Sequence, residues 1–217
     1  MTNLKGPFKN FACVCYGDKY SLDYVQKLYN MVQRHSTYLH NFYCFTDNVK
    51  ANKVLEGHIN VRQFLLHDMQ GWWNKMKLFH HDNGFSGDTL YMVLDVVITG
   101  NIDCFFDHEP KADFVGMNDF NPDTKIFNSS VFRFKHEPMT RKLWKPFWDD
   151  RPTWLRMAGD QNVISDIILK HDETRSFPNA WTQSYKWYDR TGTRYHKGKW
   201  TFEHNGESLV TVFHGQA

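Results

Sequence analysis

The sequence predicts an α/β fold in which a mixed, mostly parallel sheet carries helices on both faces. Three features lead there. Apolar runs of strand length alternate with stretches of helical periodicity along the 217 residues. The early runs "FACVCY" and "FYCFT" are nearly continuously apolar, as in strands buried on both sides. No repeat, low-complexity tract or Pro/Gly/Ser-rich linker divides the chain, so one domain over 1–217 is expected.

The elements follow in order. "FACVCY" (11–16) reads as a buried strand and "GDKY" as the turn after it. From Ser21 onward, Leu22, Val25, Leu28, Tyr29 and Val32 recur at helical spacing. "FYCFT" (42–46) is a second strand closed by "DN", and "INVRQF" (59–64) a short third. "WWNKMKLF" (72–79) predicts a helix with Trp72, Met76 and Phe79 on one face. "TLYMVLDVVI" (89–98) predicts the longest strand, followed by "DFVGM" (113–117) and "SSVFRF" (129–134). Pro138 suits the start of a helix running through Phe147, since proline fits a first helical turn. Asp160 is placed to cap a helix whose Val163, Ile164, Ile167 and Ile168 face inward. "LVTVFH" (209–214) closes the chain.

Composition narrows the function classes. A net charge of +2 does not require a nucleic-acid partner. The four cysteines form no CxxC pair and match no zinc module, and their apolar neighbours predict reduced core thiols in a cytoplasmic protein. The first ten residues are polar and no run of about 18 apolar residues occurs, so neither a classical export signal nor a membrane span is expected. The aromatic share of 17% is high, and rings both fill cores and line clefts for sugars or bases.

In α/β sheets ligands bind beyond the carboxyl ends of the strands. That directs attention to Gly17, Asp18, Asp47, Asp95 and His214. Asp95 interrupts an apolar run, and a buried acid must be paired, hydrogen-bonded or on a metal. On residue type alone, a structural acid satisfied by a nearby turn or a lysine is the simpler explanation. His214 before Gly215 suits a metal ligand or an ordinary strand end. In "GDQNVI", a plain N-cap accounts for Asp160 but leaves Gln161 unexplained. Asn128 and Ser129 suit sugar hydroxyls or an Asx turn. Lys75 and Lys77 beside two tryptophans suit a diphosphate or a solvated helix face.

Taken in order, these segments resemble the nucleotide-sugar glycosyltransferases of the GT-A fold, especially the family-8-like retaining enzymes and their short bacterial and phage relatives. The resemblance covers nearly the whole chain. "CVCYGDKYSLDYVQKLYNMVQRH" is similar to the family's first strand, nucleotide loop and helix, and "FYCFTDN" to its second strand. "LYMVLDVVITGNIDCFF" resembles its central "LYLDLDxVIxGxID" strand. "FNSSVFRF", "GDQNVI" and "VFHG" resemble its "FNSG", "DQ" and "FHG" elements.

The resemblance implies a single Rossmann-like GT-A domain that moves a sugar from a nucleotide-sugar donor, expected to be a UDP-sugar, to an acceptor hydroxyl. In that family two acids spaced D-x-D and a late histidine hold a divalent cation, usually manganese, which bridges the donor diphosphate. Asp95 matches the second acid and His214 the histidine, so Mn2+ or Mg2+ is the implied cofactor. Tyr16, Gly17, Asp47, Lys75, Asp95 and Gly215 fall at donor-binding positions. Asn128, Asp160 and Gln161 fall near the transferred sugar. The departure is Val93, which stands where the family has its first acid and cannot bind a cation. It leaves three options open: a weakened metal site, a metal-free enzyme, or a donor-binding protein with impaired catalysis.

The acceptor is open as well. In "WTQSYKWYDRTGTRYHKGKW" (181–200), Lys186, Arg190, Arg194, Lys197 and Lys199 interleave with tryptophans and tyrosines. Such a stretch suits a phosphate backbone and stacked bases, or a solvated hairpin. Together with the small size it resembles phage enzymes that glycosylate hydroxymethylated pyrimidines in DNA, which would act in the host cytoplasm. A glycan of the lipopolysaccharide type is the alternative acceptor.

Overall fold

The computed structural model describes residues 5–63, 69–121, 123–188, 192–193, 195–196, 199–200, 204 and 206–213. Eight strands build the main framework: β1 (Lys5–Cys15), β2 (Tyr38–Thr46), β3 (Ile59–Gln63), β4 (Asp88–Met92), β5 (Val96–Ile98), β6 (Phe114–Asn118), β7 (Phe127–Lys135) and β8 (Thr174–Ser176). All but β5 form a seven-stranded sheet in the order β3-β2-β1-β4-β7-β6-β8. Strand β7 alone runs against its neighbours β4 and β6; the other pairings are parallel.

Alternation along β1 explains why the early strands are apolar throughout. Phe11, Cys13 and Cys15 point to one core, with Val25, Leu28 and Val32 of the first helix, Leu22–His35. Ala12 and Val14 point to the other. There Met76 and Phe79 meet Phe147, Val163, Ile164 and Ile167. Both sheet faces are therefore dry and helix-covered, as the sequence predicts. Each fully buried Leu, Ile or Phe contributes about 1.5–3 kcal/mol.

Three expectations change. First, "TLYMVLDVVI" is not one strand: β4 ends at Met92, residues 93–95 bend, and β5 joins a separate three-stranded sheet. There it pairs antiparallel with the closing strand Val210–Val212, whose other edge pairs parallel with β9 (Thr182–Ser184). Asp95 is consequently half-buried in a bend and escapes the full cost of a charge in a strand interior.

Second, Gly71–Phe79 is a 3-10 helix. At three residues per turn the inward row becomes Trp73, Met76 and Phe79, while Trp72 is 61% exposed. Third, Asp160 does not cap its helix. The N-cap is Gly159, and Asp160, the first residue of the helix Asp160–Ile168, directs its carboxylate elsewhere.

The helix from His136 forms near Pro138 but carries a π-helical turn at Thr140–Trp144 before continuing to Asp149. The cysteines are unpaired; Cys13, Cys15 and Cys44 are buried and Cys104 is half-buried. Among the described residues no helix is long and apolar enough to cross a membrane.

Candidate functional site

A cleft of about 340 Å³ opens where β1 and β4 end, the location expected for an α/β sheet. Tyr16 enters from the end of β1, Lys75 from the 3-10 helix, Val93 and Asp95 from the bend after β4, and Ser130 from β7. The exposed ring of Trp72 forms part of the wall.

The loop after β1 is set by its glycine. Gly17 has φ +64°, a conformation that suits residues without a Cβ, and its N–H reaches both carboxylate oxygens of Asp47 at 3.2 Å. Asp47 follows β2, so two parallel strand ends are tied together beside Tyr16.

Lys75 is the most heavily engaged residue. Its Nζ lies 2.5 Å from Asp160 Oδ2, donates to Ser129 Oγ at 2.8 Å and stands 5.5 Å from the centre of the Tyr91 ring. Both partners of the ion pair are about nine-tenths buried. Asp160 Oδ2 is itself buried, closed off from solvent against the ammonium. Burial pushes the Tyr91 phenol well above its ordinary value, and the Asp160 charge adds to the shift.

Gln161 stands beside Asp160, and its Oε1 accepts from the backbone N–H of Ser129 at 3.2 Å. Asn128 accepts from Ser130 N–H at 3.1 Å and donates to Asp119 at 3.2 Å. The "NSS" start of β7 is therefore gripped by the "DQ" helix.

Asp95 has a partner that the sequence reading missed. The Tyr20 phenol donates to its Oδ2 at 2.7 Å, and the Asp95 carbonyl accepts from Phe213 N–H at 2.8 Å. The closing strand runs antiparallel to β5, with Val212 opposite Val96, and so brings residue 213 beside the bend. Tyr20, at the end of "GDKY", was legible only as a turn residue. A second cavity of about 660 Å³ shares Lys19, Tyr20, Leu94 and Asp95 with the cleft and is bordered also by Tyr24, Lys27 and Arg34.

Tyr16, Lys75 and Asp95 thus line the cleft together, and Asp160, Gln161 and Asn128 join it through Lys75, Ser129 and Ser130. Gly17 and Asp47 bond each other next to Tyr16 but do not line the cleft. His214 and Gly215 lie outside the described residues.

The ligand set that the described residues offer does not fit a hard divalent cation. Such ions take six or more oxygen ligands, usually with several carboxylates. Here Asp95 is the one carboxylate lining the cleft, and one of its oxygens already accepts from a phenol. Val93 is apolar and packs against both cores, and the Lys75 ammonium shares the cavity. Among the described residues, the one cluster close enough to share an ion is His80, His81 and Asp82, which does not line this cleft.

Neither a protein-family model nor a curated protein matches the chain. Solved structures do. The galactosyltransferase LgtC in complex with donor and acceptor sugar analogs superposes with a TM-score of 0.68 at 12% identity, over 95% of this chain and 87% of that one. An active-site mutant of LgtC gives 0.64 at 12% identity, over 96% and 88%. The glycosyltransferase GlyE of Streptococcus pneumoniae TIGR4 gives 0.58 at 14% identity; 78% of this chain is covered, but only 45% of GlyE. At these identities the likeness establishes the fold: a mixed, mostly parallel α/β sheet of the GT-A glycosyltransferase type.

Proposed function

We propose that this protein is a glycosyltransferase that moves a sugar from a nucleotide-sugar donor, a UDP-sugar in the first instance, to an acceptor hydroxyl. One observation carries the reading. The segments that resemble the family's nucleotide loop, central strand, "FNSG" strand and "DQ" helix converge on one cleft, through Tyr16, Asp95, Ser130 and the Lys75–Asp160 pair.

The chemistry follows from where the charges stand. The acceptor oxygen attacks the anomeric carbon, the bond from that carbon to the diphosphate breaks, and the nucleoside diphosphate leaves with the electron pair. The acceptor proton passes to the departing phosphate oxygen, on the same face as the attack in a retaining reaction. Lys75 faces the cleft and neutralises charge that develops on the leaving group. Asp160 and Gln161 stand behind it, on the side where positive charge develops on the sugar. Asp95 and Tyr16 serve the nucleotide, with the Gly17–Asp47 pair holding the loop.

A nucleic-acid acceptor draws support from the second cavity, where Lys19, Lys27 and Arg34 rise among Tyr20 and Tyr24. Cations interleaved with rings suit a phosphate backbone and its bases. Of the basic-aromatic stretch 181–200 that motivates DNA in the sequence, Arg190, Arg194 and Lys197 lie outside the described residues.

Purified protein offered a panel of UDP-sugars, with hydroxymethylcytosine DNA and with oligosaccharide acceptors, tests the proposal. Release of UDP and mass gain on an acceptor are expected. Donor binding without hydrolysis or transfer would leave the donor-binding alternative, and failure to bind any nucleotide sugar would end the reading.

A further inference from the structure

We propose that the cleft binds the donor diphosphate without a divalent cation, the ammonium groups of Lys75 and Lys19 supplying the counter-charge. The inference rests on the reading of this cleft as the donor site.

Charge accounting inside the cleft carries it. A site with two acids and a divalent ion is neutral before the diphosphate arrives. Here Val93 supplies no charge and packs into the cores, so the bend carries the single negative charge of Asp95. Lys19 lines the same cleft, one positive charge against the single negative charge of Asp95. Lys75 and Asp160 form a second balanced pair, with Lys75 lining the cavity and Asp160 set behind it.

Counted over the described residues, the cleft is near neutrality without an ion and presents two cations to an entering anion. An added divalent ion would meet a carboxylate already bonded to Tyr20 and an ammonium in the same cavity, at a cost in repulsion. Lysine is well suited to the substitution: its ammonium is a compact point charge with three donors, a common phosphate binder. Lys19 is exposed and lies over the Tyr20 ring, 4.8 Å from its centre, which leaves its donors free to turn toward a phosphate.

The test is calorimetric titration of the protein with UDP, in EDTA and in excess Mn2+. Expected is binding in EDTA that changes less than about threefold with Mn2+, together with a loss of about tenfold in Lys19→Ala and in Lys75→Met, the size of one charge-assisted contact. Lys19→Ala touches an exposed side chain, so a folding failure in Lys75→Met leaves the proposal testable. Val93→Asp is expected to introduce an Mn2+-dependent component that the parent lacks. Binding that requires Mn2+ in the parent, or that is indifferent to both lysines, would overturn the proposal while leaving the donor site in place. No UDP binding in either buffer would overturn the donor reading along with it.

Discussion

The phenol of Tyr20 donates to Asp95 Oδ2 at 2.7 Å and so holds the one carboxylate that lines the cleft among the described residues. Burial, then the bond to Asp95 and its charge, push the Tyr20 phenol well above its ordinary value of 10. A raised value means that folding favours the protonated phenol. Its contribution to stability is complete below about pH 10 and is lost as the pH rises beyond it. Phenolate absorbance in the parent and in Tyr20→Phe isolates this group, which is expected to titrate late. In Asp95→Asn it is expected to titrate earlier. An unchanged titration in Asp95→Asn would show that the bond does not form in solution.

The Lys75–Asp160 pair is the costliest single feature of the site to break. Both side chains are about nine-tenths buried, so removing one strands the other's charge. Lys75→Met is expected to lose about 3 kcal/mol or more in urea unfolding. The double variant Lys75→Met/Asp160→Leu is expected to recover most of that, because no lone charge remains. A double variant as unstable as the sum of the singles would contradict a direct pair. Both changes should abolish transfer, which separates what the pair does for folding from what it does for chemistry.

Much of this was legible in the sequence where one physical rule dominated. Helical spacing from Leu22 to Val32 and continuous apolarity in β1 and β2 located the first half of the sheet, because burial on both faces leaves a plain pattern. Legibility failed where tertiary partners outvoted local preference. Met92 and Val96 are both strand-like, but the chain must bend between them to leave one sheet for another. Asp160 is a good N-cap residue, but a buried ammonium outcompetes a helix end for its carboxylate. Arg133 escaped notice altogether: it lies inside β7, fully buried, and donates to the carbonyls of Phe105, Phe106, His108 and Glu109. That demand arises from a helix end about 25 residues distant in the chain, which no local window detects.

A pH dependence follows at the junction between the first helix and β2. Asp103, almost fully buried, accepts from Ser36 Oγ and Thr37 N–H at 2.9 Å each, from the Thr37 hydroxyl, and from Asn101. Burial alone would raise its carboxyl, but the bonds from Thr37, Ser36 and Asn101 together outweigh it and hold it below the ordinary 3.8. A depressed value contributes stability that is fully present above about pH 4 and is lost as the pH falls through the folded value. Asp103→Asn is expected to cost about 1–2 kcal/mol at neutral pH. In urea unfolding at stepped pH, the gap to the parent should narrow below about pH 4. A constant gap would mean that the charge of Asp103 is not what the junction uses.

Gln161 separates positioning from chemistry. Its Oε1 accepts from Ser129 N–H at 3.2 Å, and Ser129 in turn receives the Lys75 ammonium. Removing the amide unties β7 from the helix and misplaces the Lys75 ammonium, the group proposed to meet the leaving diphosphate. Gln161→Ala is therefore expected to lower kcat by about 100-fold, the usual scale for loss of one oriented polar contact in a transition state. UDP affinity should stay within about threefold, since Lys75 keeps its charge and its bond to Asp160. Gln161→Glu retains an oxygen for Ser129 N–H. If the residue acts only by positioning, this variant recovers most of the rate. If the amide itself meets the sugar, the rate stays low although stability returns. Equal losses in kcat and in UDP binding for Gln161→Ala would argue instead for a residue of the nucleotide site.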